Sequence, residues 1–149
     1  MIRKIVIPAA GLGTRLLPIT KEIPKEMMPL FLHDKNSEVI VKPIIQVIFE
    51  QFFQQGLREY CIIAGRQKRI IQDHFTLDEE FLKNFEKKSK YKQDLKNFYS
   101  MLNKSKIFWA KQSEPKGFGD AVKYSESFVG NDDFLVIAGD TLIPKGDKV

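Results

Sequence analysis

A chain of 149 residues is long enough to bury a real hydrophobic core and reads as one domain without an internal boundary. With 43% hydrophobic and 29% charged residues it has the balance of a soluble globular protein; no apolar run approaches a membrane span, and Arg3-Lys4 is not followed by a signal-peptide core. The net charge of +5 is spread along the chain, and the lysine-rich tract 83–106 is interleaved with Glu79, Glu80, Glu86 and Asp94, the pattern of a solvated helix face rather than a nucleic-acid track.

Residues 5–7 form a short apolar run that predicts a buried strand opening into a loop with Gly11 and Gly13. Glycines there let a ligand approach the backbone and leave positive φ accessible. Thr14 adds a hydroxyl, Arg15 a planar fork of donors, and Lys21 and Lys25 follow among prolines that direct the backbone. A strand, a glycine turn and clustered cations predict a phosphate site. It is not the dinucleotide fingerprint, because Leu16 occupies the third glycine position, and no Gly-Lys-Ser/Thr follows to make a P-loop.

After an irregular segment to about Leu32, residues 33–38 are a polar turn with an exposed His33, leading into residues 39–41. Pro43 opens a helix with Ile44, Ile45, Ile48, Phe52 and Phe53 at helical spacing, closed by Gly56. Residues 60–64 are a second buried strand. Strand, helix, strand predicts a parallel sheet. A second helix is expected over 66–75, with His74 as a structural residue. Residues 78–102 form an amphipathic stretch bearing Phe81, Leu82, Phe85, Leu95, Phe98 and Leu102, broken near Ser89-Lys90. Residues 106–111 read as a third strand, 112–121 as a loop opening a helix to about Phe128, and 134–138 as a fourth strand that exits at Gly139-Asp140. The single Cys61, inside an apolar run, rules out disulfide scaffolding and suits a reducing cytoplasm.

In open parallel sheets ligands sit outside the carboxyl ends of the strands. The loops 11–15, 112–120 and 139–140 leave those ends and are expected to converge. The first offers amides and cations, the second an amide side chain and glycines, and the third a carboxylate suited to Mg²⁺. On the residues alone, Arg15 could equally form an ion pair and Asp140 cap a turn.

The string Ala10-Gly11-Leu12-Gly13-Thr14-Arg15-Leu16-Leu17-Pro18, followed by residues 20–30, resembles the signature of bacterial and archaeal UTP–glucose-1-phosphate uridylyltransferases (UDP-glucose pyrophosphorylases). Sugar nucleotidyltransferases in general share its first part; Pro24-Lys25-Glu26-Met27 narrows it to the uridylyl branch. The resemblance implies an α/β fold, a Rossmann-like open, mainly parallel sheet flanked by helices, with this chain as the nucleotide-binding half. It implies that Ala10 and Gly11 contact uracil through the main chain, with Leu12, Gly13 and Thr14 completing the nucleotide loop. Gln112 and Glu26 would read the base, Gly117 would pack against it, Arg15 and Lys25 would grip the triphosphate as catalytic residues, and Asp140 would hold Mg²⁺. The implied partners are UTP and glucose 1-phosphate. Because the family continues through a sugar-binding half, a homo-oligomer or a complementing second chain is also expected. Two features depart from the family pattern: an insertion over 33–41, and Asp120 where the family commonly has histidine. The alternatives are a non-catalytic nucleotide-binding module and a thymidylyl- or cytidylyltransferase of the same superfamily.

Overall fold

Alternate residues along a strand face opposite sides of a sheet, so a strand apolar at every position must be covered on both faces. That condition holds at the centre of this fold. The structure, a computed structural model, describes residues 2–34, 36–65, 69–84 and 90–143. Four parallel strands form the sheet in the order β5-β4-β1-β6: β1 Lys4–Ala9, β4 Glu59–Gly65, β5 Lys106–Gln112 and β6 Phe134–Val136. Ile5 pairs with Tyr60 and Tyr60 with Ile107, while Val6 pairs with Cys61. The first set faces the larger core, which is filled by α1 (Ile44–Gln54), α2 (Arg69–His74) and α4 (Lys90–Asn103). Val6, Cys61 and Ile63 face the other side, covered by α5 (Phe118–Lys123) and α6 (Glu126–Val129). The expected mainly parallel sheet flanked by helices is the observed architecture.

An aromatic cluster centred on Phe49 and Phe98 fills the larger core. Phe49 stacks obliquely on Tyr60 at 4.7 Å and meets Phe98 edge-on at 5.8 Å; Phe75 meets Phe98 at 5.6 Å. His74 lies flat on Phe98 at 5.2 Å. Its Nε2 donates to Gln46 Oε1 (2.9 Å), since Gln46 turns its amide nitrogen to Glu50 (2.8 Å). Lys42 then joins Glu50 and Asp94, each at 2.9 Å, tying the strand β3 (Val39–Pro43) to α1 and α4. Burial opposes the Lys42 charge, but the hydrogen bonds and attraction of Asp94 and Glu50 outweigh it, and its pKa lies above the ordinary value. Cys61 is buried, and burial pushes its thiol up to about 11, which makes it an inert packing residue.

Several elements differ from expectation. Residues Pro29–His33, read as the end of an irregular segment to about Leu32 and the first residue of a polar turn, form β2, which pairs antiparallel with β3 (Val39–Pro43). Pro29 opens the strand, where a missing N–H breaks no ladder bond. Asp34 Oδ1 closes the hairpin by accepting from the backbone of Asn36 (2.8 Å) and Glu38 (2.9 Å). The single helix expected to reach Phe128 is two, because the chain turns at Tyr124 and Ser125, where Ser125 Oγ donates back to the Val122 carbonyl. The amphipathic stretch divides as expected, into α3 (Glu79–Lys83), capped by Asp78, and α4, which begins at Lys90; the difference is Phe81, which is exposed rather than on the buried stripe. The expected helix start at Arg66, and Phe85, Glu86 and Ser89, lie outside the described residues.

Two measurements check this core. Phe98→Ala is expected to cost about 3–5 kcal/mol in urea unfolding. Burial lowers the His74 pKa to about 4, against about 6.5 unfolded, so between those pH values the unfolded state binds more protons. Stability from this group is complete above about pH 6.5 and lost as pH falls toward 4; His74→Phe is expected to flatten that part of the stability–pH curve.

Candidate active site

The loops leaving β1 and β5, together with the tip of β4, enclose a cleft of about 230 Å³. That is below the roughly 300–1,000 Å³ of closed small-molecule sites, so a ligand seated here would extend beyond it. Of the residues expected from the sequence, Ala10, Gly11, Leu12, Lys25 and Gln112 line it together.

The glycine loop is shaped by Gly13, whose φ of +66° is open to glycine and strained for most other residues. A Cβ there would also sit 3.0 Å from Thr20 Cγ2. Thr20 holds this turn by donating its hydroxyl to the Gly13 carbonyl at 2.7 Å. Gly13, Thr14 and Arg15 are not on the cleft wall. Arg15 sits in the short turn Thr14–Leu16, exposed and without a partner among the described residues. Arg15 is thus an exposed cation that makes no ion pair among the described residues.

Lys25 reaches across the site, and its Nζ lies 2.7 Å from Asp140 Oδ2. This pairing joins residues separated by 115 positions. Its cause is the end of β6: pairing to β1 continues past Val136, with Ile137 N donating to Val6 O (3.1 Å) and Gly139 N to Pro8 O (3.0 Å). Gly139 is packed tightly there. A Cβ on it would lie 3.0 Å from Glu26 Cγ and 3.3 Å from both Ala9 Cβ and the Pro8 carbonyl oxygen. Asp140 is delivered to Lys25 by that close fit.

Glu26 departs from the expectation that it reads the base. Only 1% of it is exposed, it sits beneath Gly139, and it does not line the cleft. The short turn Lys25–Met27 points adjacent residues in different directions, so Lys25 takes the cleft and Glu26 the interior.

Gln112, at the end of β5, is 3% exposed. Its Nε2 donates to Asp120 Oδ2 at 2.7 Å and, more weakly, to the Gly117 carbonyl at 3.4 Å. Gly117 therefore meets the site through its carbonyl and is not itself on the cleft wall. Asp120, in the first turn of α5, faces Gln112 rather than the cations of the first loop. The sequence reading passed over Thr20, Gly65 and Ser113. Gly65 carried a signal, since it ends a strand whose tip had to join the others.

Residues 4–147 match the nucleotidyl transferase family. The chain belongs to that family. Among its relatives it is similar to the UTP–glucose-1-phosphate uridylyltransferase of Bacillus subtilis, 40% identical over 142 residues that cover 95% of this chain and 45% of the relative. Among solved structures it is similar to apo UDP-glucose pyrophosphorylase, with a TM-score of 0.84 and 36% identity, covering 99% of this chain and 50% of the other. A UDP-glucose pyrophosphorylase complexed with UDP-glucose gives a TM-score of 0.76 at 35% identity, covering 94% and 46%. This nucleotidyl transferase chain spans about half the length of the curated relatives it matches. No described helix is long and apolar enough to cross a membrane.

The tight seat of Gly139 makes a testable point. Gly139→Ala is expected to displace the Asp140 turn at a cost of about 1–3 kcal/mol, the usual scale of overpacking. Thermal unfolding of the variant checks this, and an unchanged midpoint would show that the seat has slack.

Proposed function

We propose that this chain is the nucleotide-binding half of a uridylyltransferase, which joins UTP and glucose 1-phosphate to give UDP-glucose and pyrophosphate. The observation that carries the reading is the meeting of the Ala10–Leu12 backbone, the Gln112 amide and the Lys25–Asp140 pair at one edge of a parallel sheet. Relatives and structural neighbours carrying the same activity in their names support it.

In that reaction an oxygen of the sugar phosphate forms a new bond to the α-phosphorus of UTP. The bond from that phosphorus to its bridging oxygen breaks, and pyrophosphate leaves with the electron pair. The acceptor is already an anion, so no protein nucleophile is required. The work left to the protein is to hold two anions together and to stabilise charge as it shifts. Lys25 is placed for this, because its present partner is a partly exposed carboxylate that a phosphate can replace. Arg15, exposed and without an ion pair among the described residues, is the second cation, in the loop that begins at Gly11 and Leu12 on the cleft wall.

Mg²⁺ fits the donor set. Among the described residues no cluster of three or more His, Cys, Asp or Glu forms a protein cage. Mg²⁺ with nucleotides commonly uses one or two carboxylates plus phosphate oxygens and water, and Asp140 is such a carboxylate. Bound there, the ion would supply neutralisation of phosphate charge.

The sugar-binding face, on this reading, comes from a complementing segment, a second chain or another copy. Leu12 on the cleft wall and Leu16, Leu17 and Ile19 in the chain after it are exposed apolar side chains suited to being covered. A cytoplasmic setting suits the free, buried Cys61. The second reading is a nucleotide-binding module without catalysis, to which the small open cleft would also be suited.

Calorimetric titration with UTP and Mg²⁺ tests the first claim. Binding is expected, and Lys25→Ala is expected to weaken it about tenfold, the scale of one charge-assisted contact. Absence of UTP binding would refute the reading. Pyrophosphate release separates the two versions. The uridylyltransferase reading expects turnover once the sugar-binding half is supplied, lowered by about 10²–10³ in Arg15→Ala; the module reading expects none.

A further inference from the structure

We propose that Asp120 is a positioning residue that decides which end of the Gln112 amide faces the base, and so makes the cleft select uracil over cytosine. This rests on the uridine-nucleotide reading above and deepens it.

A glutamine amide has an accepting oxygen and a donating nitrogen, and a half-turn of its last bond exchanges them. Gln112 is not free to choose. Its Nε2 lies 2.7 Å from Asp120 Oδ2, and a carboxylate only accepts hydrogen bonds. Turning the amide over would bring Oε1 against that oxygen, setting two acceptors face to face in a residue that is 3% exposed. It would also forfeit a hydrogen bond to a charged group. The Gly117 carbonyl favours the same orientation, but at 3.4 Å it is a weak partner, so Asp120 dominates.

The consequence falls on the other end of the group. The oxygen of an amide lies opposite its nitrogen, and Gln112 Oε1 takes no hydrogen bond from the described residues. Gln112 lines the cleft, so what it offers a base there is an acceptor. Uracil presents N3–H and pairs with it. Cytosine presents a bare N3 lone pair at the same position and is repelled. Thymine also has N3–H, so a thymine nucleotide is not discriminated by this device.

The test is calorimetric titration of the 149-residue chain with UTP, dTTP and CTP in the presence of Mg²⁺, alongside Asp120→Asn and Asp120→Glu. The wild type is expected to favour UTP and dTTP over CTP. Asp120→Asn fills the same space but can pair with the amide either way round. It is expected to narrow the UTP:CTP preference about tenfold, the scale of one oriented hydrogen bond, while leaving UTP:dTTP unchanged. Asp120→Glu, again acceptor-only, is expected to keep most of the preference. A merely structural role would weaken all three nucleotides by one common factor. The inference is overturned if the wild type favours UTP and Asp120→Asn keeps the UTP:CTP ratio within about twofold. A wild type that binds no nucleotide, or does not separate UTP from CTP, overturns the uridine reading itself and this inference with it.

Discussion

Strand β1 carries the structure. It lies between β4 and β6, and its residues from Ile5 to Ala9 are buried. Its parallel register with both neighbours aligns their carboxyl ends, and the site is made of what leaves those ends. Parallel strands need covered crossovers, so the same constraint calls for α1 on one face and α5 and α6 on the other. The cleft exists because one central strand is paired on two sides and its neighbours stop at the same edge.

Two buried glutamines show how a carboxylate can assign an ambiguous group. In the larger core, Glu50 draws the Gln46 amide nitrogen, which leaves the oxygen for His74 and holds that ring against Phe98. At the cleft, Asp120 draws the Gln112 nitrogen, and the oxygen is left without a described partner. The two arrangements share a physical logic and differ in what becomes of the oxygen. In the core it is spent on packing; at the cleft it remains for a ligand. Asp120, where the family commonly has histidine, is turned to a neutral amide.

The Lys25–Asp140 pair is of a different kind. Both side chains are about one-third exposed, a setting in which an ion pair contributes little to stability and exchanges partners readily. What makes it informative is its position. It rests on a backbone hydrogen bond from Gly139 to Pro8 and on a glycine whose neighbours would have to give way to a side chain. A rigid seat under a loose ion pair suits a group that must give up its partner when an anion arrives.

Much of this was legible in the chain itself. The buried strands at 5–7 and 60–64 are apolar runs bounded by turn residues, 106–111 is a mixed run that forms the edge strand, and α1 follows from helical spacing between Pro43 and Gly56. The order of glycine loop, amide loop and strand-end aspartate was also readable, because strand order and loop polarity are local properties. The rest was set by contacts between distant residues. The irregular-looking Pro29–His33 is a strand because Val39–Pro43 pairs with it. Phe81 is exposed although its spacing suits a buried stripe. Glu26 is interior and Lys25 is on the cleft, although they are adjacent in sequence and both ionisable. Local pattern reports which residues prefer burial; only the packed tertiary structure decides which polar group meets which, because hydrogen-bond partners are assigned by geometry that no short stretch of sequence contains.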